Sequence, residues 1–153
     1  MTKNFYVPIG SFIWEKSPAV LCCKGLGSCI AVCLYDAEKR EGGLAHILLP
    51  YNEKSDKPFY YVNLVFAEIM RMLKNRIKQR KIVAKISGGA NIFETANTSV
   101  GERNILAVKH WLKYYNLPVV GEDLGGIEGR NVSFDLSSGE MRIFKIKKGE
   151  III

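Results

Sequence analysis

Apolar residues follow two rhythms along this chain. In the N-terminal third they come in short alternating runs rich in β-formers, at residues 19–23 (AVLCC), 29–36 (CIAVCLYD) and 43–50 (GLAHILLP). Runs of this length predict strands. The charged segment 36–43 closes on Gly42 and Gly43 and predicts a turn joining the second strand to the third. After Pro58 the period lengthens. Val62, Val65, Phe66, Ile69, Leu73 and Ile77 recur at helical spacing, and Arg71, Lys74, Arg76 and Lys78 fall mostly on other faces. This predicts a long amphipathic helix over 59–79. A strand at 81–87 follows, then a glycine turn at 88–93. A second helix at 101–115 carries Ile105, Val108, Leu112 and Tyr115 on one stripe. The remainder predicts a strand at 117–121, a glycine loop at 124–130 and a hairpin over 131–147 that turns at 137–139. Two helices among about seven strands, with no repeat or linker, predict a single α+β domain over 1–153, its helices packed over layered mixed sheets.

Composition narrows the function classes. A chain of 153 residues with 48% apolar residues can bury a sizeable core, which argues against a disordered chain. Lys and Arg exceed Asp and Glu by 22 to 15, so acidic partners are favoured. The densest basic stretch, 71–85 (RMLKNRIKQRKIVAK), with Lys145, Lys147 and Lys148, is the only argument for nucleic acid. No aromatic RNP-like motif, zinc finger or helix-turn-helix signature accompanies it, so a solvated helix face is the simpler reading and no nucleic-acid partner is expected. The N-terminus has no signal-peptide h-region, and no stretch approaches a membrane span. A cytoplasmic protein without membrane insertion is expected.

The candidate chemistry lies in the cysteines. Cys22, Cys23, Cys29 and Cys33 cluster near the N-terminus instead of spreading along the chain, which favours reduced thiols over a disulfide framework. Their spacing lacks paired C-x-x-C knuckles and the chain has only His46 and His110, so no metal is expected. Alternation puts Cys29, Ala31, Cys33 and Tyr35 on one face of their strand and Ile30, Val32 and Leu34 on the other. Cys22 and Cys23 point to opposite faces, so at most one of them shares a site with Cys29. A nucleophilic thiol needs a base or a positive field. His46, one strand on, is the candidate base if the two strands are antiparallel neighbours; its alternative is a satisfied core histidine. His110 reads as a surface or packing residue. The run GLGSCI before the second strand is not a dinucleotide fingerprint, because Ile30 stands where a third small residue is required and a strand follows where a helix should. Its glycines instead leave room for backbone N–H groups near Ser28 and Cys29 to face a developing oxyanion.

Six segments, in this order and spacing, resemble the chemoreceptor glutamine deamidase family, CheD, of bacterial and archaeal chemotaxis. They are GLGSC (25–29), AHILLP (45–50), DKP (56–58), SGGANIF (87–93), VGERN (100–104) and EDLGGIEGR (122–130). The resemblance spans about 17–148. It implies a layered α/β/β fold like that of deamidating bacterial toxins, and a cysteine hydrolase that needs no cofactor. The implied substrates are side-chain amides on the cytoplasmic helices of chemoreceptors, and the implied second partner is the chemotaxis phosphatase CheC. By the same resemblance Cys29 is the nucleophile and His46 the base. The family's third catalytic residue is a threonine six positions before the nucleophile, where this chain has Cys23. Phe93 is a candidate for lining the substrate cleft, with core packing as its alternative. A free chain is expected to be monomeric. The alternative function is a non-catalytic chemotaxis module that regulates the phosphatase.

Overall fold

The computed structural model describes residues 1–74, 81–92 and 99–153. Ile77, the end of the first predicted helix at 75–79 and Phe93 lie outside the described residues. The elements run β1 (Lys3–Tyr6), β2 (Ser11–Lys16), β3 (Ala19–Leu26), β4 (Ile30–Asp36), β5 (Glu41–Ile47), a 3-10 turn (Pro58–Tyr60) and α1 (Val62–Leu73). There follow β6 (Ile82–Gly88), α2 (Val100–Tyr114), β7 (Val119–Leu124), β8 (Arg130–Asp135), β9 (Met141–Lys145) and β10 (Gly149–Ile152). The strands form two mixed sheets, ordered β1-β3-β8-β9-β10 and β2-β5-β4-β6-β7. The α+β class and the two helices stand as expected. The strand count rises to ten among the described residues, because β1, β2 and β10 carry no clean apolar alternation.

Two cores hold three layers together. On one side of the β2-β5-β4-β6-β7 sheet, Ile30, Val32, Leu34, Ala45, Ile47, Ala84 and Ile86 pack against Val62, Val65, Phe66 and Ile69 of α1 and Val108 and Leu112 of α2. On its other side Cys29, Ala31, Cys33, Tyr35 and Leu44 face Leu21, Cys23, Val132, Phe134, Met141 and Ile143 of the second sheet. Strand β4 is therefore buried at every position, which is why its sequence is apolar on both faces. The alternation read from residues 29–36 is the division between these cores.

Two boundaries differ from the sequence reading for physical reasons. Gly42 and Gly43 do not belong to a turn; they lie inside β5, opposite Tyr35 and Leu34 of β4. A Cβ on Gly42 would sit 2.5 Å from the Leu34 carbonyl oxygen, and one on Gly43 would enter the Phe12 ring at 2.5 Å. The glycines answer to packing, and the actual turn spans residues 37–40, where Lys39 N–H donates to Asp36 Oδ1 at 2.9 Å. The buried stripe of α2 also passes through Gly101, Asn104, Val108 and Leu112, with Ile105 and Tyr115 only partly buried. Replacing Gly42 with Ala forces the β4–β5 ladder apart, and overpacking of this kind costs about 1–3 kcal/mol. The expected result is a lower urea midpoint for Gly42→Ala at unchanged slope.

Candidate active site

Cys29 sits where the chain crosses between the sheets. β3 ends at Leu26 in one sheet and β4 begins at Ile30 in the other, so residues 27–29 make the crossing. All three carbonyls of that turn are held. Gly27 O accepts from Ala90 N–H at 2.9 Å, and Cys29 O accepts from Gly89 N–H at 2.8 Å. Ser28 O accepts from Asn104 Nδ2 at 2.8 Å. Gly88 permits this close seam: at φ 121° it lies where a Cβ would fall 2.3 Å from the Cys29 oxygen. A cavity of about 410 Å³ opens here, lined by the 27–29 turn, by residues 90–92 and by the first turn of α2 with its capping Ser99. The thiol thus borders the positive end of a helix dipole. Among the four free cysteines only Cys29 lines this cavity.

His46 lies on the same face. β4 and β5 are antiparallel, and Ala31 pairs with His46, so Cys29 is a diagonal neighbour of the imidazole. The ring is buried, with Nδ1 3.1 Å from the Val7 carbonyl oxygen. A carbonyl can only accept, so Nδ1 carries the proton and Nε2 presents its lone pair. Among the described residues Nε2 has no hydrogen-bond partner. Burial lowers the His46 pKa below its ordinary value, against the weaker upward pull of the Val7 bond. Burial raises the Cys29 thiol, opposed by its own backbone N–H. Both shifts favour the neutral thiol and neutral imidazole over the charged pair.

The other candidates separate cleanly. Cys23 is fully buried in the core between the sheets, close enough to Cys29 for like charges to oppose each other, and burial drives its pKa far upward. Cys33 is buried deeper on the same face, and Cys22 points the other way. His110 is exposed on α2, edge-on to Trp111. Lys85, at the end of the basic stretch, is turned inward, where its Nζ donates to Gly139 O at 2.8 Å and Ile153 O at 2.7 Å. Among the described residues no cluster of three or more His, Cys, Asp and Glu is placed to hold a metal ion. No helix among them is long and apolar enough to cross a membrane.

The glycine loop at 125–129 supports the site from outside. Gly125 N–H donates to Gly88 O at 2.9 Å, and Asn91 N–H donates to Gly126 O at 2.9 Å. Arg130, buried, anchors the loop through Asp123 Oδ2 at 2.7 Å and the carbonyls of Asp123 and Gly125. Three contributors escaped the sequence reading. Val7 acts through its backbone and leaves no side-chain signal. Asn104 had one: a polar residue on the stripe shared by Gly101, Val108 and Leu112. Ser87 opens the segment 87–93 quoted above, but its strand face reads as solvent-exposed and hides its burial.

Comparison with known proteins agrees with this frame. Residues 48–145 match the family model described as CheD chemotactic sensory transduction. The chain is 36% identical over 146 residues to the chemoreceptor glutamine deamidase CheD of Thermotoga maritima, covering 94% of this chain and 93% of that protein. It is 38% identical to the probable chemoreceptor glutamine deamidase CheD of Archaeoglobus fulgidus, with both chains fully covered. It is 36% identical to the chemoreceptor glutamine deamidase CheD of Bacillus licheniformis, covering 88% of this chain and 85% of that protein. Similarity of this extent, over nearly the whole chain, makes the protein a member of the CheD family.

Proposed function

We propose that this protein deamidates glutamine side chains on chemoreceptor helices, with Cys29 as nucleophile and His46 as base. The observation that carries the reading is the pairing of a cavity-lining thiol with a neighbouring imidazole whose Nδ1 is tied to Val7 and whose Nε2 is open. Nε2 takes the Cys29 proton as sulfur attacks the carboxamide carbon. The amides of Ser28 and Cys29, with the N-terminus of α2 beside them, favour the oxyanion. The imidazolium protonates the departing ammonia. Water activated by His46 then cleaves the thioester, leaving glutamate and free Cys29. The Val7 bond is the orienting contact for the base, and Cys23 covers the thiol from the facing sheet.

The surface beside the cavity fits a helical substrate. A second groove of about 490 Å³ shares Gly27 and Ile92 with the first and is lined by Phe144, Ile146 and Lys147. Ile92, Phe144 and Ile146 are exposed. An amphipathic helix laid across both grooves buries its apolar face while its acidic residues meet a chain of formal charge +7. The phosphatase CheC is the second partner we assign to this face, and the cytoplasm is the compartment in which both partners would be met.

Mass spectrometry of a receptor cytoplasmic fragment tests the reading. The wild type should convert amide to acid, Cys29→Ala should convert none, and His46→Ala should lose about 100-fold or more in rate. Conversion by both variants at the wild-type rate would sink the assignment. The pH dependence follows from the two burial shifts. Protonation removes the base, so kcat/KM falls as pH drops through a His46 pKa below the ordinary histidine value. The Cys29 thiolate forms only above the ordinary thiol range, so alkylation by iodoacetamide should still be rising at alkaline pH. A plateau of fast alkylation from neutrality downward would instead mean a resting ion pair. For the groove, Ile146→Asp should raise KM for the receptor fragment about tenfold with kcat little changed, the cost of losing a buried apolar contact.

A further inference from the structure

Ser87 is a second buried polar group that the protein leaves open on the thiol's face of the sheet. It is fully buried, and among the described residues its Oγ makes no hydrogen bond. A buried hydroxyl is costly unless something pairs with it. The strand register says where it stands. Ala31 of β4 pairs with His46 on the β5 side and with Ser87 on the β6 side. His46, Ala31 and Ser87 therefore form a row across the sheet, and directly paired residues share a face. Val83, four residues before Ser87 on β6, packs into the core between the sheets and fixes which face this is. Cys29 lies two residues before Ala31 on the same face, a diagonal neighbour of both ends of the row.

The centre of the row is low, because Ala31 contributes only a methyl group. The imidazole also keeps one nitrogen open among the described residues. Its Nδ1 is held by Val7, whose segment runs into β2, and Gly10 of that segment donates to the His46 carbonyl at 2.8 Å. β2 borders β5 on the side away from β4. The two ring nitrogens point in roughly opposite directions, so Nε2 is directed away from the Val7 carbonyl.

We propose that Ser87 is a positioning residue that holds the hydrolytic water between its hydroxyl and His46 Nε2. The assignment rests on the deamidase reading above. A buried water needs two or more polar partners, and these two groups supply them beside the sulfur that carries the acyl group. In the step concerned, the water's oxygen attacks the thioester carbonyl carbon and gives one proton to Nε2. The carbon–sulfur bond breaks, and that proton passes from Nε2 to Cys29 Sγ. The products are a free thiol and a carboxylic acid, which loses the water's second proton to solvent and becomes the glutamate side chain. Ser87 keeps its own proton throughout. Its hydrogen bond fixes the water and plays no part in forming the thioester.

That division gives the test. With a receptor cytoplasmic fragment as substrate, Ser87→Ala should release its first equivalent of ammonia at the wild-type rate, and iodoacetamide should alkylate Cys29 at the wild-type rate. Steady-state turnover should fall about tenfold, the effect of one lost hydrogen bond at a reacting group. A thioester on Cys29 should then accumulate in the intact-mass spectrum. Hydroxylamine, a nucleophile that needs no held water, should restore turnover by intercepting it. Unchanged turnover in Ser87→Ala overturns the assignment. So does an equal fall in ammonia burst, alkylation and turnover without hydroxylamine rescue, which would mark a purely structural role. A wild type that releases no ammonia sinks the deamidase reading and this assignment with it, whereas an active wild type and an unaltered variant sink the assignment alone.

Discussion

Burial of β4 on both faces is the constraint on which the rest depends. Ile30, Val32 and Leu34 close the core beneath the helices, and Cys29, Ala31, Cys33 and Tyr35 close the core between the sheets. Each large apolar side chain so buried contributes about 1.5–3 kcal/mol, and slipping the strand by one residue would exchange the two sets. The strand therefore has one register, and its first residues have one position. Cys29 inherits that position. The link to β3 is only three residues long, and the carbonyls of all three are hydrogen-bonded to β6's glycine turn or to Asn104. The thiol is held by the fold around it, although the turn that carries it is rich in glycine.

The same burial decides the resting chemistry. A solvated cysteine beside a histidine can exchange a proton and wait as an ion pair. Here burial raises the thiol and lowers the imidazole, so both shifts oppose the charged pair. In the proposed mechanism charge develops only when a substrate amide draws it out. The groups proposed to receive it belong to residues that line the cavity, the 27–29 turn and the first turn of α2. This arrangement protects a thiol that would otherwise react with oxidants and metals, at the expense of nucleophilicity in the free enzyme.

How much of this the sequence discloses depends on whether a residue's partner is near in the chain. The β4 alternation, both helices and the β8–β9 hairpin are local patterns and are legible. The antiparallel return of His46 toward Cys29 follows from one short turn. The Gly42–Gly43 pair is misleading, because glycine serves turns and tight packing alike, and only the Leu34 carbonyl beside Gly42 and the Phe12 and Trp14 rings beside Gly43 distinguish them. β1 is four residues of mixed polarity paired in parallel with β3, a contact that needs the link through β2 to be visible. Ser87 is hidden by its own strand. With Lys81 and Lys85, it makes one face of that strand look solvated, while the structure turns that face toward a second sheet.

Position 23, where the resemblance implies a catalytic threonine, holds Cys23 in this chain. A hydroxyl there can orient a histidine through a side-chain hydrogen bond, and a thiol does so poorly. In this chain the bond that sets the tautomer comes from the Val7 carbonyl. Val7 is in turn held from β3, since its N–H donates to the Cys22 carbonyl at 2.8 Å. The route from β3 to the imidazole therefore runs through main-chain atoms at positions 22 and 7, and the side chain at 23 is free to serve packing. Cys23 does so as a small apolar group among Leu21, Leu26, Val132 and Cys29. In the proposed mechanism this backbone-built contact leaves position 23 open to substitution, because no side chain takes part in it.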